Sequence, residues 1–169
     1  ENILSYDDKI KKGFLDVLFV NKSTSLNYDL KKNSLKFTSE NDNFFDGSIE
    51  FKPFFLKTSI NYKGLSTRDL FKDDSIMIEI IKSEILNNRN LNVNINLSVI
   101  DITNIDELND LKLNLSLDQG NINFLKSKIM WKDDLEIIMN EGLLNYNENE
   151  IYLTGKLIIN ANNINDFYK

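Results

Sequence analysis

The sequence predicts a mostly-β domain, built as an antiparallel meander, a curved sheet or an open sandwich that forms a β-groove, with one or two short helices in its middle. Two patterns favour strands: apolar residues that alternate with polar ones, and a short glycine phrase that recurs along the chain. Helical signals are confined mainly to the middle. A chain of 169 residues has the size of one domain, so we expect residues 1–169 to share a single core.

The clearest strands lie between residues 91 and 117. Apolar residues recur there at every second position and alternate with Asn, Ser and Lys, which is the two-residue period of a strand. Each strand therefore has one apolar and one polar face. The residues predicted to form the apolar face are Leu91, Val93, Ile95, Leu97, Val99, Leu111, Leu113, Leu115 and Leu117.

A glycine followed at two and four positions by apolar residues recurs five times in the chain. Because glycine readily takes positive φ, we expect these glycines to lie in the turns that start strands. The pattern also fits a true structural repeat, and the phrase is too short to separate the two interpretations. The predicted turn residues are Gly13, Gly47, Gly120, Gly142, Gly155 and Pro53, the last at a sheet edge or a bend between strands.

The middle of the chain carries the helical signals. A short turn is predicted over residues 66–71, capped by Ser66, and a longer helix over 74–87, with Asp74 or Ser75 as its N-cap. A further turn is predicted over 163–168.

Composition excludes several classes of function. The net charge of −6 argues against a nucleic-acid surface, which needs clustered Lys and Arg. The chain has no Cys and no His, which excludes thiolate nucleophiles, Ser-His-Asp triads and metal sites built on those residues. We therefore expect no catalytic activity, no metal and no cofactor.

Two further features are candidate sites. Paired acids occur at Asp7-Asp8, Asp73-Asp74 and Asp133-Asp134, and polar turns or a helix N-cap explain them better than calcium binding or catalysis. Five phenylalanines at 44, 45, 51, 54 and 55 could line a ligand groove, although core filling is favoured.

The beginning of the sequence has neither a basic segment nor an apolar signal segment, and no window reaches about 18 apolar residues. It also begins without methionine. We expect a fragment of a larger protein whose export signal or membrane anchor lies outside this sequence.

One stretch resembles a known family. Residues Phe45-Asp46-Gly47-Ser48-Ile49-Glu50-Phe51-Lys52-Pro53-Phe54, the alternating strands after them, Gly155-Lys156-Leu157-Ile158-Ile159 and Asp166-Phe167-Tyr168 resemble the C-terminal region of AsmA-like proteins of Gram-negative bacteria. The similarity runs from about Phe44 to Lys169.

The resemblance implies a periplasmic, non-enzymatic domain that is anchored to the inner membrane and takes part in outer-membrane biogenesis or phospholipid transport between membranes. Its expected partners are phospholipid or another lipid, the membrane and the remainder of its own chain, but no nucleic acid. An apolar face would shield acyl chains at about 0.8 kcal/mol per buried CH₂. The alternative is a structural or adhesive β-sandwich module of a cell-surface or assembly protein, and an enzyme is a distant third.

Overall fold

The computed structural model describes residues 2–7, 10–19, 22–40, 44–66, 68, 90–118, 120–147 and 150–162. Eleven strands account for nearly all of them: β1 (Asn2–Asp7), β2 (Ile10–Phe19), β3 (Lys22–Lys31), β4 (Ser34–Ser39), β5 (Phe45–Phe51), β6 (Phe54–Leu65), β7 (Asn92–Ile102), β8 (Leu108–Asp118), β9 (Asn121–Trp131), β10 (Leu135–Asn147) and β11 (Glu150–Ala161).

The strands form one open sheet in which spatial order follows chain order, from β1 at one edge to β11 at the other. All neighbours are antiparallel except β6 and β7, which run parallel. The sheet is therefore two meanders, β1–β6 and β7–β11, that are joined through one parallel pair. The prediction of a mostly-β, meander-based open sheet is confirmed.

The predicted helices fall on residues outside the described part of the chain. Of the segment 66–71 the structure describes only Ser66 and Arg68, and the segments 74–87 and 163–168 lie wholly outside it.

The β9–β10 connection shows why paired acids suit a turn. Lys132 and Asp133 both have positive φ, at 49° and 59°, and the Asp134 amide donates to the Trp131 carbonyl at 3.3 Å. Two central residues with positive φ are typical of a type I′ turn, whose twist matches that of the strands it joins. Asp133 and Asp134 are thus turn residues.

Irregularities in β9 and β10 shift the alternation between the two faces by one residue. Lys126 has a φ of 51°, and the pairing of β10 shifts between Met139 and Glu141. An extra residue in a strand moves the alternation by one position. Leu125 consequently lies 52% exposed beside Glu141 on the polar side, whereas Ser127 is buried.

The recurring glycines occupy positions that differ from the prediction. Gly120 does lie in the turn before β9, with a φ of 84°, and Pro53 lies in the turn between β5 and β6. The turn prediction is wrong for the other glycines, which lie inside strands: Gly13 in β2, Gly47 in β5, Gly142 in β10 and Gly155 in β11.

These in-strand glycines belong to one row of cross-strand partners that traverses the whole sheet. For these four copies the glycine phrase is therefore a structural repeat in register, which reflects spatial alignment across strands and not turn formation. From β1 to β11 the row is Ile3, Gly13, Tyr28, Phe37, Gly47, Thr58, Ile95, Leu115, Phe124, Gly142 and Gly155.

The buried side chains form three clusters along the sheet. One centres on β6 and β7 and includes Phe44, Tyr62 and Val99, a second lies on β3 and β4, and the third joins β7, β8 and β9. Strands contact mainly their immediate neighbours. The core is therefore an extended layer on one side of the sheet.

Candidate functional site

The residues predicted for the apolar face lie together on one face of β7 and β8. Val93 pairs with Leu117, Ile95 with Leu115, Leu97 with Leu113 and Val99 with Leu111. Directly paired residues point to the same side of a sheet. Leu91, just before β7, packs against the cluster that contains Val93 and Leu117.

Burial divides this set into two groups. Val93, Leu97, Val99 and Leu117 are buried, with Val99 only 2% exposed. The other five, Leu91, Ile95, Leu111, Leu113 and Leu115, are partly buried. Three of the four β7 residues in strand pairs are thus buried, whereas three of the four β8 residues, Leu111, Leu113 and Leu115, still present apolar surface.

The apolar face extends far beyond the predicted residues. The register continues it on both sides: Leu56 pairs with Val93 and Ile60 with Leu97 on β6, while Ile122 pairs with Leu117 on β9. Sequence reasoning predicted strands here but did not assign their residues to the apolar face. The further members of the apolar face are Leu15, Val17, Leu26, Tyr28, Leu30, Leu35, Phe37, Phe45, Ile49, Phe124, Ile129, Ile137, Met139, Leu144, Leu153, Leu157 and Ile159.

At the β11 edge the apolar face is open to solvent. Leu153, Leu157 and Ile159 are 52%, 60% and 62% exposed, and they pair with Leu144, Met139 and Ile137 of β10. An edge strand also leaves one row of backbone hydrogen-bonding groups without a strand partner. Both apolar and hydrogen-bonding surface are therefore available along the 12 residues of β11.

At three glycines of the row, neighbouring side chains and backbone fill the space that a Cβ would occupy. A Cβ on Gly47 would lie 2.3 Å from the Lys57 carbonyl oxygen and 2.7 Å from Phe37 Cζ, so the Phe37 ring covers this glycine. A Cβ on Gly155 would lie 2.2 Å from the Glu141 carbonyl oxygen and 2.8 Å from Met139 Sδ. Glycine at such positions lets a sheet bend and lets a large neighbour lie flat against the backbone.

The five phenylalanines do not form one groove. Phe44 is 1% exposed and meets the Tyr62 ring edge to face at 4.9 Å, while Phe45 stacks on Phe37 at 5.1 Å. Phe51 is 38% exposed at the end of β5. Phe54 packs into the cluster of Val93, and Phe55 lies on the polar face as the partner of Glu50. Core filling accounts for the first two.

The polar face carries hydrogen bonds and ion pairs. Lys128 Nζ donates to Glu136 Oε1 at 2.6 Å, and Asn160 Nδ2 donates to Glu136 Oε2 at 3.3 Å. The hydrogen bond from Lys128 is the main cause that lowers the pKa of the partly buried Glu136 carboxyl. This network joins β9, β10 and β11.

A depression of about 340 Å³ also opens on the polar face of the same three strands. Asn123, Leu125, Glu141, Leu143 and Thr154 line it beside the paired glycines. Its lining contains one carboxylate and no second titratable group, which gives it no acid-base pair for catalysis.

Across the described ranges no group of three or more Asp and Glu is placed to hold a metal ion. The helical stretches within those ranges include none with the length and hydropathy of a membrane span. Protein-family models, curated proteins and solved structures were compared with the chain, and none matches it.

What the arrangement offers chemically is an extended apolar surface on an open sheet with two edges. Such a surface can bind elongated apolar ligands, or it can pack against an apolar element of another protein.

Proposed function

We propose that this chain is a non-catalytic β-groove domain of AsmA-like type, periplasmic and anchored to the inner membrane in the full-length protein, which carries phospholipid during outer-membrane biogenesis. The observation that carries this proposal is the apolar face that continues through the paired rows of the whole sheet, from Leu15 on β2 to Ile159 on β11.

An open sheet with this face fits acyl chains for two physical reasons. Burying hydrocarbon stabilises the complex by about 0.8 kcal/mol per CH₂ without any directional bond, so no particular polar residue is needed. The partly buried Ile95, Leu113 and Leu115 and the exposed Leu157 give an acyl chain apolar atoms to contact. Headgroups would stay in water.

The test is native mass spectrometry of the protein purified from a Gram-negative host. We expect bound phospholipid on the wild type and little or none on Ile95→Asp or Leu115→Asp, which place a charge on the apolar face. Asn96→Asp and Ser116→Asp are matched controls, because each lies one residue further along the same strand on the polar face and they pair with Asn114 and Asn94. The controls should keep the lipid.

A variant at the edge guards against loss of folding. Leu157 is 60% exposed, so Leu157→Asp adds a charge to the apolar face at little cost in stability. Circular dichroism should show an unchanged fold and mass spectrometry a lower lipid content. A lipid-free wild type, or equal lipid on the apolar-face and control variants, contradicts the proposal.

A second candidate is a structural or adhesive module, and the β11 edge favours it. A long edge strand with exposed apolar residues can accept a strand from another protein. On this hypothesis the wild type carries no lipid, and Leu157→Lys with Ile159→Lys abolishes partner binding because edge lysines oppose strand addition.

A further inference from the structure

Five lysines gather at one end of the first meander, although the protein as a whole is acidic. Lys31 and Lys32 lie at the β3–β4 turn, Lys52 at the β5–β6 turn, and Lys36 and Lys57 on the polar face of β4 and β6. All five are exposed. We call them the lysine patch.

The register shows that the patch is one continuous surface. Lys36 and Lys57 both pair with Ser48, on opposite sides of β5. The two turns are joined directly, since the Phe51 amide donates to the Asn33 carbonyl at 2.9 Å. Four strands at about 4.8 Å spacing place the ammonium groups on a strip of about 14 Å.

Acidic groups within the strip are few. Glu50 lies on the polar face of β5. Asp29 pairs with Lys36 in the register, and its Oδ2 lies 3.7 Å from Lys12 Nζ, with which it forms an ion pair. The strip therefore carries a clear positive excess.

Acidic residues lie outside the strip at both ends of the strands. Asp7 ends β1 and Asp118 ends β8 at the patch end, each two strands away from the strip, and five more acids lie at the opposite end. Glu40 follows β4, Asp106 and Glu107 lie in the β7–β8 turn, and Asp133 and Asp134 lie in the β9–β10 turn. The 12 residues of β6 separate the two ends by about 40 Å at roughly 3.3 Å per residue. Screening acts over about 8 Å at physiological ionic strength, so the acidic end does not cancel the patch.

An apolar side chain lies at the same rim. Phe51, 38% exposed, is on the apolar face beside Phe54, its partner across the turn. Clustered lysines next to an exposed aromatic ring suit the boundary of a phospholipid bilayer, where phosphates and hydrocarbon lie within one side-chain length.

We propose that the lysine patch docks this end of the sheet on an anionic phospholipid membrane, with Phe51 entering the interface. The acidic end then points away from the membrane. This docking surface is distinct from the apolar face, and it does not require that the face carries lipid.

The test is co-sedimentation of the full chain with vesicles of 30 mol% phosphatidylglycerol in phosphatidylcholine. We expect binding that weakens as salt rises from 50 to 500 mM, and much weaker binding to pure phosphatidylcholine. A lysine next to an anionic surface strengthens binding about fivefold, so Lys31→Gln, Lys32→Gln and Lys52→Gln together should weaken it about a hundredfold. The same three changes to Arg should retain it.

The matched control changes three exposed lysines elsewhere, Lys63, Lys112 and Lys156, to Gln, which gives the same net charge. It should bind within about twofold of wild type. Equal loss in the control, equal binding to both vesicles, or no binding by the wild type overturns the docking proposal. Native mass spectrometry of the patch variant measures its lipid content, which separates this outcome from failure of the groove proposal.

Discussion

Replacing Gly47 by alanine tests whether the glycine row is a steric requirement of this sheet. The new Cβ would lie 2.3 Å from the Lys57 carbonyl oxygen and 2.7 Å from Phe37 Cζ. Neither neighbour yields easily, since the oxygen belongs to the adjacent strand and the ring is stacked on Phe45. Overpacking of this kind costs about 1–3 kcal/mol, and alanine recovers about 0.4–1 kcal/mol through the unfolded state. We expect a net loss of about 1–2 kcal/mol.

Urea and thermal unfolding, followed by circular dichroism, measure this loss. For a chain of this size, 1–2 kcal/mol lowers Tm by about 2–8 °C. Gly64→Ala is the control: Gly64 is exposed, and the nearest atom to its Cβ would be Thr103 Cγ2 at 3.0 Å, the end of an exposed side chain. That variant should lie within about 0.5 kcal/mol of wild type. Equal stability of the two variants would refute the steric reasoning.

Three further predictions concern stability. Leu117→Ala should cost about 2–5 kcal/mol in urea unfolding because Leu117 is 3% exposed, whereas Leu157→Ala, at 60% exposed, should change stability by less than about 0.5 kcal/mol. Burial raises the pKa of Tyr62 from 10.0 to about 12, so its contribution to stability is full below pH 10 and is lost as the pH rises toward 12. When unfolding is measured from pH 9 to 12, the wild type should lose stability faster than Tyr62→Phe. Parallel stability curves for the two proteins would contradict this. The lowered pKa of Glu136 means that its contribution is present above about pH 4.5 and is lost as the pH falls through the folded-state pKa. The stability difference between wild type and Glu136→Gln in urea unfolding should therefore shrink on acidification. In the Lys128→Gln background the difference should be smaller but not zero, because Asn160 still donates to Glu136.

The strands over 91–117 could be predicted from sequence because a strand's two-residue period appears directly in the order of residues. Leu91 to Val99 and Leu111 to Leu117 alternate without interruption, so their shared face follows once they pair. The continuation on β9 and β10 was hidden, since the bulges near Lys126 and Met139 shift the alternation by one residue. A local period cannot reveal a change of phase that depends on the neighbouring strand.

The glycines show the same division. Their phrase is visible in the sequence, and it predicts turns because glycine readily takes positive φ. Only Gly120 has that φ. Gly47, Gly142 and Gly155 are instead required by aromatic and Met side chains and by backbone that lie close to them, and Gly13 shares their row. Residues far apart in the chain create this requirement, so no local pattern records it.

The sequence by itself determined that this protein is mostly β, that its strands have one apolar and one polar face, and that it lacks the His and Cys on which many catalytic and metal sites depend. Only the tertiary structure decided that the faces join into one open surface, that the glycines align in a row and that Lys31, Lys36, Lys52 and Lys57 meet at one end. Periodicity is a property of the backbone within each strand, whereas alignment and charge clustering depend on register between strands that the order of residues does not contain.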